Sequence, residues 1–209
     1  MGATLYTRLG DLLETLTDAL YPHLDRPFAL FGHSLGALLA FEVTRALRRR
    51  GAPLPAGLFV AACEAPDRLP SAQLHLLPDD ALVAELRRLG GTPEQILRDP
   101  DFQALLLPIV RADLAVRETY AYAAEPPIPC PITVMIGSHD PQVDAAAAES
   151  WRLHTTAPTR VRRFWGDHFF VSGARADVLS AIRLDLAEWL GAQPVASDGP
   201  VGVTPLRPL

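Results

Sequence analysis

The sequence contains no lysine, and all 19 of its basic residues are arginine. With 24 acidic residues, its formal net charge is −5. We therefore expect no nucleic-acid partner, because binding to phosphates requires a basic surface. No apolar run approaches the roughly 18 residues that a membrane helix needs, so no membrane association is predicted. The first residues show no basic start followed by an apolar stretch, so we expect no secretory signal.

Cysteine is also scarce, with Cys63 and Cys130 the two present. Their spacing matches neither a metal-binding nor a redox motif. Buried free thiols are the simplest interpretation, and they are consistent with a cytoplasmic protein.

The length of 209 residues, with 49% hydrophobic and 21% charged residues, is typical of one globular domain. We assign this domain to residues 1–190. From Gly191 onward the chain is rich in Pro, Gly and Val without periodicity, so residues 191–209 are predicted to form a disordered tail.

Hydrophobic patterns predict alternating strands and helices. This order is typical of an α/β fold with a mostly parallel sheet and helices on both faces. The block at about 67–124 is helical and contains no predicted strand, and we interpret it as a lid at the carboxyl edge of the sheet. The predicted strands are 28–31, 57–63, 131–136 and 160–165, and the predicted helices outside the lid are 8–20, 35–50, 144–154 and 174–190.

The first strand and its helix meet at Gly32-His33-Ser34-Leu35-Gly36, a match to G-x-S-x-G. In a nucleophile elbow, a strand turns sharply into a helix and raises the serine hydroxyl above the sheet. We expect the two glycines to leave room where the chain segments approach. The alternative is a tight turn in which Ser34 only caps the helix.

A serine nucleophile needs a general base, and His168 is the favoured candidate among six histidines. It lies in GDHFFV, between the last predicted strand and the closing helix. By contrast, His154 sits at a helix end, where capping is the simpler role, and His139 adjoins the favoured carboxylate.

That carboxylate is Asp140, in the loop GSHDPQV directly after the strand PITVMI. Its rivals are Asp144, which is placed to cap the next helix, and Asp167, which cannot readily reach the ring of its own neighbour. The resulting order Ser34, Asp140, His168 is that of the α/β-hydrolases.

Five segments together resemble the type II thioesterases of nonribosomal peptide and polyketide synthesis, from about residue 8 to 190. They are FALFGHSLGALLAFEVTRALRRRG, the lid pieces LRRLGGTP and LLLPIVRADLAVRETYAY, GSHDPQV, and GDHFF. The resemblance implies an α/β-hydrolase fold and a stand-alone editing enzyme. Such an enzyme removes stalled or aberrant acyl groups from the phosphopantetheine arm of acyl- or peptidyl-carrier proteins.

The resemblance also implies roles for individual residues. Ser34 would be the nucleophile, His168 the general base and acid, and Asp140 its orienting partner. The backbone N–H of Leu35 would serve the oxyanion hole. No metal or redox cofactor is implied, since the substrate carries the phosphopantetheine.

One departure from the family pattern concerns the segment before residue 8. Members carry further strands there, with a loop that completes the oxyanion hole, and this sequence shows no such motif. We therefore expect an N-terminally incomplete hydrolase core with a bare sheet edge at residues 28–31. If this chain is the whole protein, we expect poor solubility and weak or absent hydrolysis. Two other functions remain open: a hydrolase of small esters or free acyl thioesters, and a non-catalytic module that binds carrier proteins.

Overall fold

A computed structural model describes residues 5–69 and 72–191. Within this part of the chain, four parallel strands form one sheet in the order β1-β2-β3-β4. The predicted α/β class with a parallel sheet is confirmed. The strands are β1 (Leu30–His33), β2 (Leu58–Ala61), β3 (Ile132–Gly137) and β4 (Thr159–Phe164).

Eight α-helices accompany the sheet in the described residues, together with short 3-10 helices. The predicted helix at 144–154 divides into a short α-helix and a 3-10 turn (Ser150–His154), and the closing helix is preceded by one extra turn. The α-helices are α1 (Leu9–Leu20), α2 (Leu35–Arg49), α3 (Asp79–Leu89), α4 (Glu94–Arg98), α5 (Pro100–Glu118), α6 (Ala145–Glu149), α7 (Phe170–Gly173) and α8 (Arg175–Trp189).

Strand β1 is shifted from its predicted position. The apolar pattern placed it at 28–31, whereas pairing with β2 runs from Leu30 to His33. Gly32 and His33 interrupt the apolar run without interrupting the ladder, because pairing uses the backbone and not the side chains. The strand therefore extends directly to Ser34. As expected, β1 lies at an edge of the sheet that the described residues form.

Alternate residues of the central strands enter two separate cores. On one face, Val60 and Val134 pack with Phe41 of α2 and Trp151. On the other face, the residues of β2 and β3 pack with α7 and α8; they are Phe59, Ala61 and Met135. Both faces are therefore covered by helices, which explains why β2 and β3 consist of continuous apolar residues.

The segment between β2 and β3 contains α3, α4 and α5 and no strand in its described residues. The chain that leads from α5 back to the sheet is attached to α2 by Arg45, whose side chain is 3% exposed. Arg45 donates to Glu42 at 2.6 Å and to the Ala123 carbonyl at 2.5 Å. That this insertion acts as a lid remains a prediction, and beyond Gly191 the predicted tail lies outside the described residues.

Both cysteines are buried free thiols, as predicted. Burial raises the pKa of Cys63 to about 12 and that of Cys130 to about 11. No helix in residues 5–69 or 72–191 is long and apolar enough to cross a membrane.

Asp185 connects α8 to the sheet through buried polar contacts. Its side chain, 1% exposed, accepts hydrogen bonds from Thr133 at 2.8 Å, from Arg162 at 3.0 and 2.5 Å, and from Arg160 at 2.9 Å. Burial opposes ionisation, but the bonds from Arg162 and Thr133 outweigh it, so the pKa of Asp185 lies below its usual value.

We expect Asp185→Asn to lower the free energy of unfolding by about 2 kcal/mol at pH 7, because the amide lacks the charge with which the carboxylate holds both arginines. The loss is not larger because the two arginines are partly exposed and screened by solvent. A lowered folded-state pKa means that the carboxylate stabilises the fold above about pH 4 and loses this effect as the pH falls through that pKa. Urea unfolding at pH 7 and in acid measures both effects. Asp177→Asn, an exposed change on the same helix, is the control, and an equal loss in the two variants would contradict the prediction.

Candidate active site

Ser34 lies between β1 and α2 in a strained backbone conformation, with φ 52° and ψ −116°. This region is rarely occupied by residues other than glycine, and strain of this kind concentrates at functional sites. The backbone N–H of Ser34 still donates to Ala61 O at 2.8 Å, which fixes the turn to β2. Among the described contacts, its side chain makes no cap to α2. The strained turn and the missing cap are consistent with a nucleophile elbow and not with a capping serine, and the role of Ser34 as nucleophile remains a prediction.

The two glycines of the motif are constrained differently. A Cβ on Gly32 would overlap the backbone of Gly36 and Ala37, so this position requires glycine. A Cβ on Gly36 would meet no atom within 4 Å. The expectation that both glycines make room is therefore confirmed for Gly32 and wrong for Gly36, whose backbone, not its missing side chain, forms the close approach.

The structure brings His168 and Asp140 together at the carboxyl edge of the sheet. His168 Nδ1 and Asp140 Oδ2 are 3.0 Å apart, and the two side chains are 6% and 0% exposed. Since a carboxylate can only accept, Nδ1 carries a proton, and Nε2 is the ring nitrogen that could act as an acceptor. Burial disfavours the Asp140 carboxylate, but hydrogen bonds from His168 and from the backbone N–H of Gln142 outweigh it and lower its pKa.

The loops that carry these two residues are joined by their backbones, which the sequence reasoning missed. The His139 N–H donates to Gly166 O at 2.9 Å, and a Cβ on Gly137 would overlap the backbone carbonyl of Asp167. Gly166 has φ 133°, which side chains rarely permit. The glycines that end PITVMIG and precede Asp167-His168 were the available signal.

Ser34 and His168 are linked indirectly, through His33, the residue before Ser34. No hydrogen bond joins the Ser34 hydroxyl to His168 in the described structure, and such bonds are often long in the absence of substrate. His33, however, is 2.7 Å from the His168 carbonyl through its Nε2. The His33 and His168 rings also meet edge to face, with centroids 5.2 Å apart.

The rival histidines have partners elsewhere. The sequence suggested that His154 caps a helix, but its side chain is 4% exposed, with Nε2 2.8 Å from Asp67 Oδ1. His139 Nδ1 lies 2.9 Å from Ser138 Oγ, and its ring packs on Trp165.

The rival carboxylates make local backbone contacts. Asp144 accepts from the Ala147 N–H at 2.7 Å and caps α6, as expected. Asp167 accepts from the Phe169 N–H at 2.8 Å. Neither takes the position beside His168 that Asp140 occupies.

Leu35 is the first residue of α2. An N–H at this position has no acceptor within its own helix, and it lies at the positive end of the helix dipole. It is therefore placed to donate to a developing oxyanion next to Ser34, the role that the family resemblance implies.

Comparison with known protein families gives one match that covers most of the chain. The sequence pattern described as "Thioesterase domain" matches residues 2–186 of the 209. The chain belongs to the thioesterase family. Members of this family are hydrolases that act on acyl thioesters, and the parallel sheet with its flanking helices is the α/β-hydrolase fold.

Related proteins include members of several biosynthetic pathways. The gramicidin S biosynthesis protein GrsT of Aneurinibacillus migulanus is 38% identical over 175 residues, covering 83% of this chain and 68% of that protein. The RedJ thioesterase of the prodiginine pathway in Streptomyces coelicolor is 39% identical with a TM-score of 0.80, covering 85% of this chain and 71% of that one. YbtT, a type II thioesterase of the yersiniabactin NRPS/PKS pathway, is 32% identical with a TM-score of 0.76, covering 85% and 74%.

The different constraints on the two elbow glycines predict different effects on thioesterase stability. We expect Gly32→Ala to lower the free energy of unfolding by about 3 kcal/mol or more, since backbone must move to admit the methyl group. Gly36→Ala places its methyl in open space within the first turn of a helix, where alanine is favoured over glycine by up to about 1 kcal/mol. Chemical denaturation of both variants measures the difference. Equal destabilisation would show that the close approach at Gly32 is not the constraint.

Proposed function

We propose that this chain is an editing thioesterase that hydrolyses stalled or aberrant acyl groups from the phosphopantetheine arm of carrier proteins. The observation that carries the proposal is the buried His168–Asp140 pair at the carboxyl edge of the sheet, beside the strained elbow that bears Ser34. Membership of the thioesterase family indicates that the bond cleaved is a thioester. The names of YbtT and GrsT support a place in peptide or polyketide assembly, where acyl groups are held on carriers.

The first half of the reaction transfers the acyl group to the protein. Ser34 Oγ attacks the thioester carbonyl carbon while His168 Nε2 takes the hydroxyl proton. The Leu35 N–H donates to the oxyanion, and Asp140 stabilises the imidazolium through Nδ1. When the C–S bond breaks, His168 returns the proton to sulfur and the pantetheine thiol leaves.

The second half regenerates Ser34. His168 removes a proton from a water molecule, which attacks the acyl-enzyme carbonyl. Collapse of this intermediate breaks the bond to Ser34 Oγ, which recovers its proton from His168, and the free acid leaves. The proposed steps require no metal or redox group.

We expect Asp140→Asn to lower kcat by about 10³–10⁴-fold with a smaller change in KM. The amide would donate to Nδ1 in place of accepting from it, which moves the ring proton to Nε2 and removes the base. Steady-state hydrolysis of an acyl thioester measures this effect. Asp144→Asn, which alters a helix cap outside the pair, is the matched control, and similar kcat losses in the two variants would argue against the role of Asp140.

The serine nucleophile is tested by labelling with a fluorophosphonate probe. We expect an adduct on the wild-type chain and none on Ser34→Ala, because the probe requires an activated serine.

Substrate class is tested by comparing kcat/KM for an acyl-carrier protein, the matching acyl-pantetheine and a nitrophenyl ester. We expect the carrier-bound thioester to be preferred. Absence of a Ser34-dependent adduct would overturn the catalytic proposal, and equal kcat/KM for all three would favour a general esterase.

A further inference from the structure

His33 makes a contact that the proposed reaction does not itself use, with the loop at residues 165–169 between β4 and α7, which carries His168 and is called the base loop below. Its Nε2 lies 2.7 Å from the main-chain oxygen of His168, 135 residues away. A carbonyl oxygen can only accept, so the proton of the His33 ring must be on Nε2. The ring is half-buried, and burial is the main reason that the pKa of His33 lies below its usual value. His33 is therefore a neutral donor at neutral pH, facing His168 and Asp140.

The contact from His33 joins two segments that carry candidate site residues. His33 is the last residue of β1 and directly precedes Ser34, so its backbone is fixed by pairing with Ala61. His168 lies in the loop between β4 and α7. The bond therefore connects the peptide that carries the nucleophile to the peptide that carries the base.

The base loop has a second set of attachments, to the loop at residues 138–144 between β3 and α6, which carries Asp140 and is called the carboxylate loop. The Ser138 N–H donates to Phe164 O at 2.7 Å and the His139 N–H to Gly166 O at 2.9 Å. These bonds fix His168 relative to Asp140 but do not involve the elbow. The bond from His33 attaches the base loop to the elbow at Ser34.

We propose that His33 is a positioning residue, which holds the main chain of His168 so that its Nε2 faces the Ser34 hydroxyl. This inference rests on the proposed function, in which that proton transfer occurs. It gives the residue before the serine a role in aligning two groups that lie 134 residues apart in the sequence. A displacement of about 1 Å between reacting groups can cost about 100-fold in rate.

Two amide substitutions separate the hydrogen bond from the general effect of changing the ring. The amide nitrogen of glutamine reaches about as far as histidine Nε2, whereas that of asparagine is one methylene shorter. We expect His33→Asn to lower kcat by about 10- to 100-fold with KM changed less than about threefold. His33→Gln should keep kcat within about threefold of the wild type. Similar losses in the two variants, or no loss in His33→Asn, would overturn the proposal.

NMR provides a test that requires no turnover, so failure of the proposed function does not affect it. In the wild-type chain labelled with ¹⁵N-histidine, we expect His33 to be neutral and protonated on Nε2 at pH 7. We also expect the Nδ1–H signal of His168, assigned with His168→Gln, to persist in His33→Gln and to broaden in His33→Asn. Protonation of His33 on Nδ1 in the wild-type chain would contradict the inference however the variants fold, and an unchanged His168 signal in His33→Asn would contradict it as well.

Discussion

The close approach of Gly32 to the backbone of Gly36 is the constraint on which the site depends. It allows β1 to turn into α2 without an intervening loop, and the turn holds Ser34 at φ 52°. Backbone strain costs of order 1–3 kcal/mol and persists only where the surroundings enforce it. Here the ladder to β2 fixes one side of the turn and the packed helix fixes the other, so the strain is offset by the core and the hydroxyl has a defined position.

A parallel sheet brings the other candidate residues to the same place. The ends of β1, β3 and β4 lie on one edge, and these ends carry Ser34, Asp140 and His168, respectively. The strands alone do not set distances between loops, which is done by backbone contacts between glycine-containing turns. Gly137 admits the carbonyls of the base loop, and Gly166 adopts a φ that other residues disfavour. Side-chain chemistry at this edge thus depends on the absence of side chains beside it.

The sequence predicted the parts of this arrangement that have local signals. The apolar strand, the motif around Ser34 and the order of Asp140 and His168 are each legible within a few residues. What escaped prediction depends on residues far apart in the chain. His154 seemed a helix cap because its partner Asp67 is 87 residues away. The bond from His33 to His168, and the openness around Gly36, likewise follow from how segments meet in three dimensions and not from any local pattern.

The insertion between β2 and β3 is also tied to the site by its packing. His154 contacts Asp67 where the insertion begins, and its ring packs against Tyr122 where the insertion ends. Between these ends, Gly91 lies against the ring of Phe169, which packs in turn on His33 and His168. Gly91 therefore has no room for a side chain beside that ring, and any larger residue at this position would displace Phe169. One aromatic ring thus packs against the insertion on one side and against His33 and His168 on the other, a contact that neither the motif around Ser34 nor the His–Asp pair would reveal.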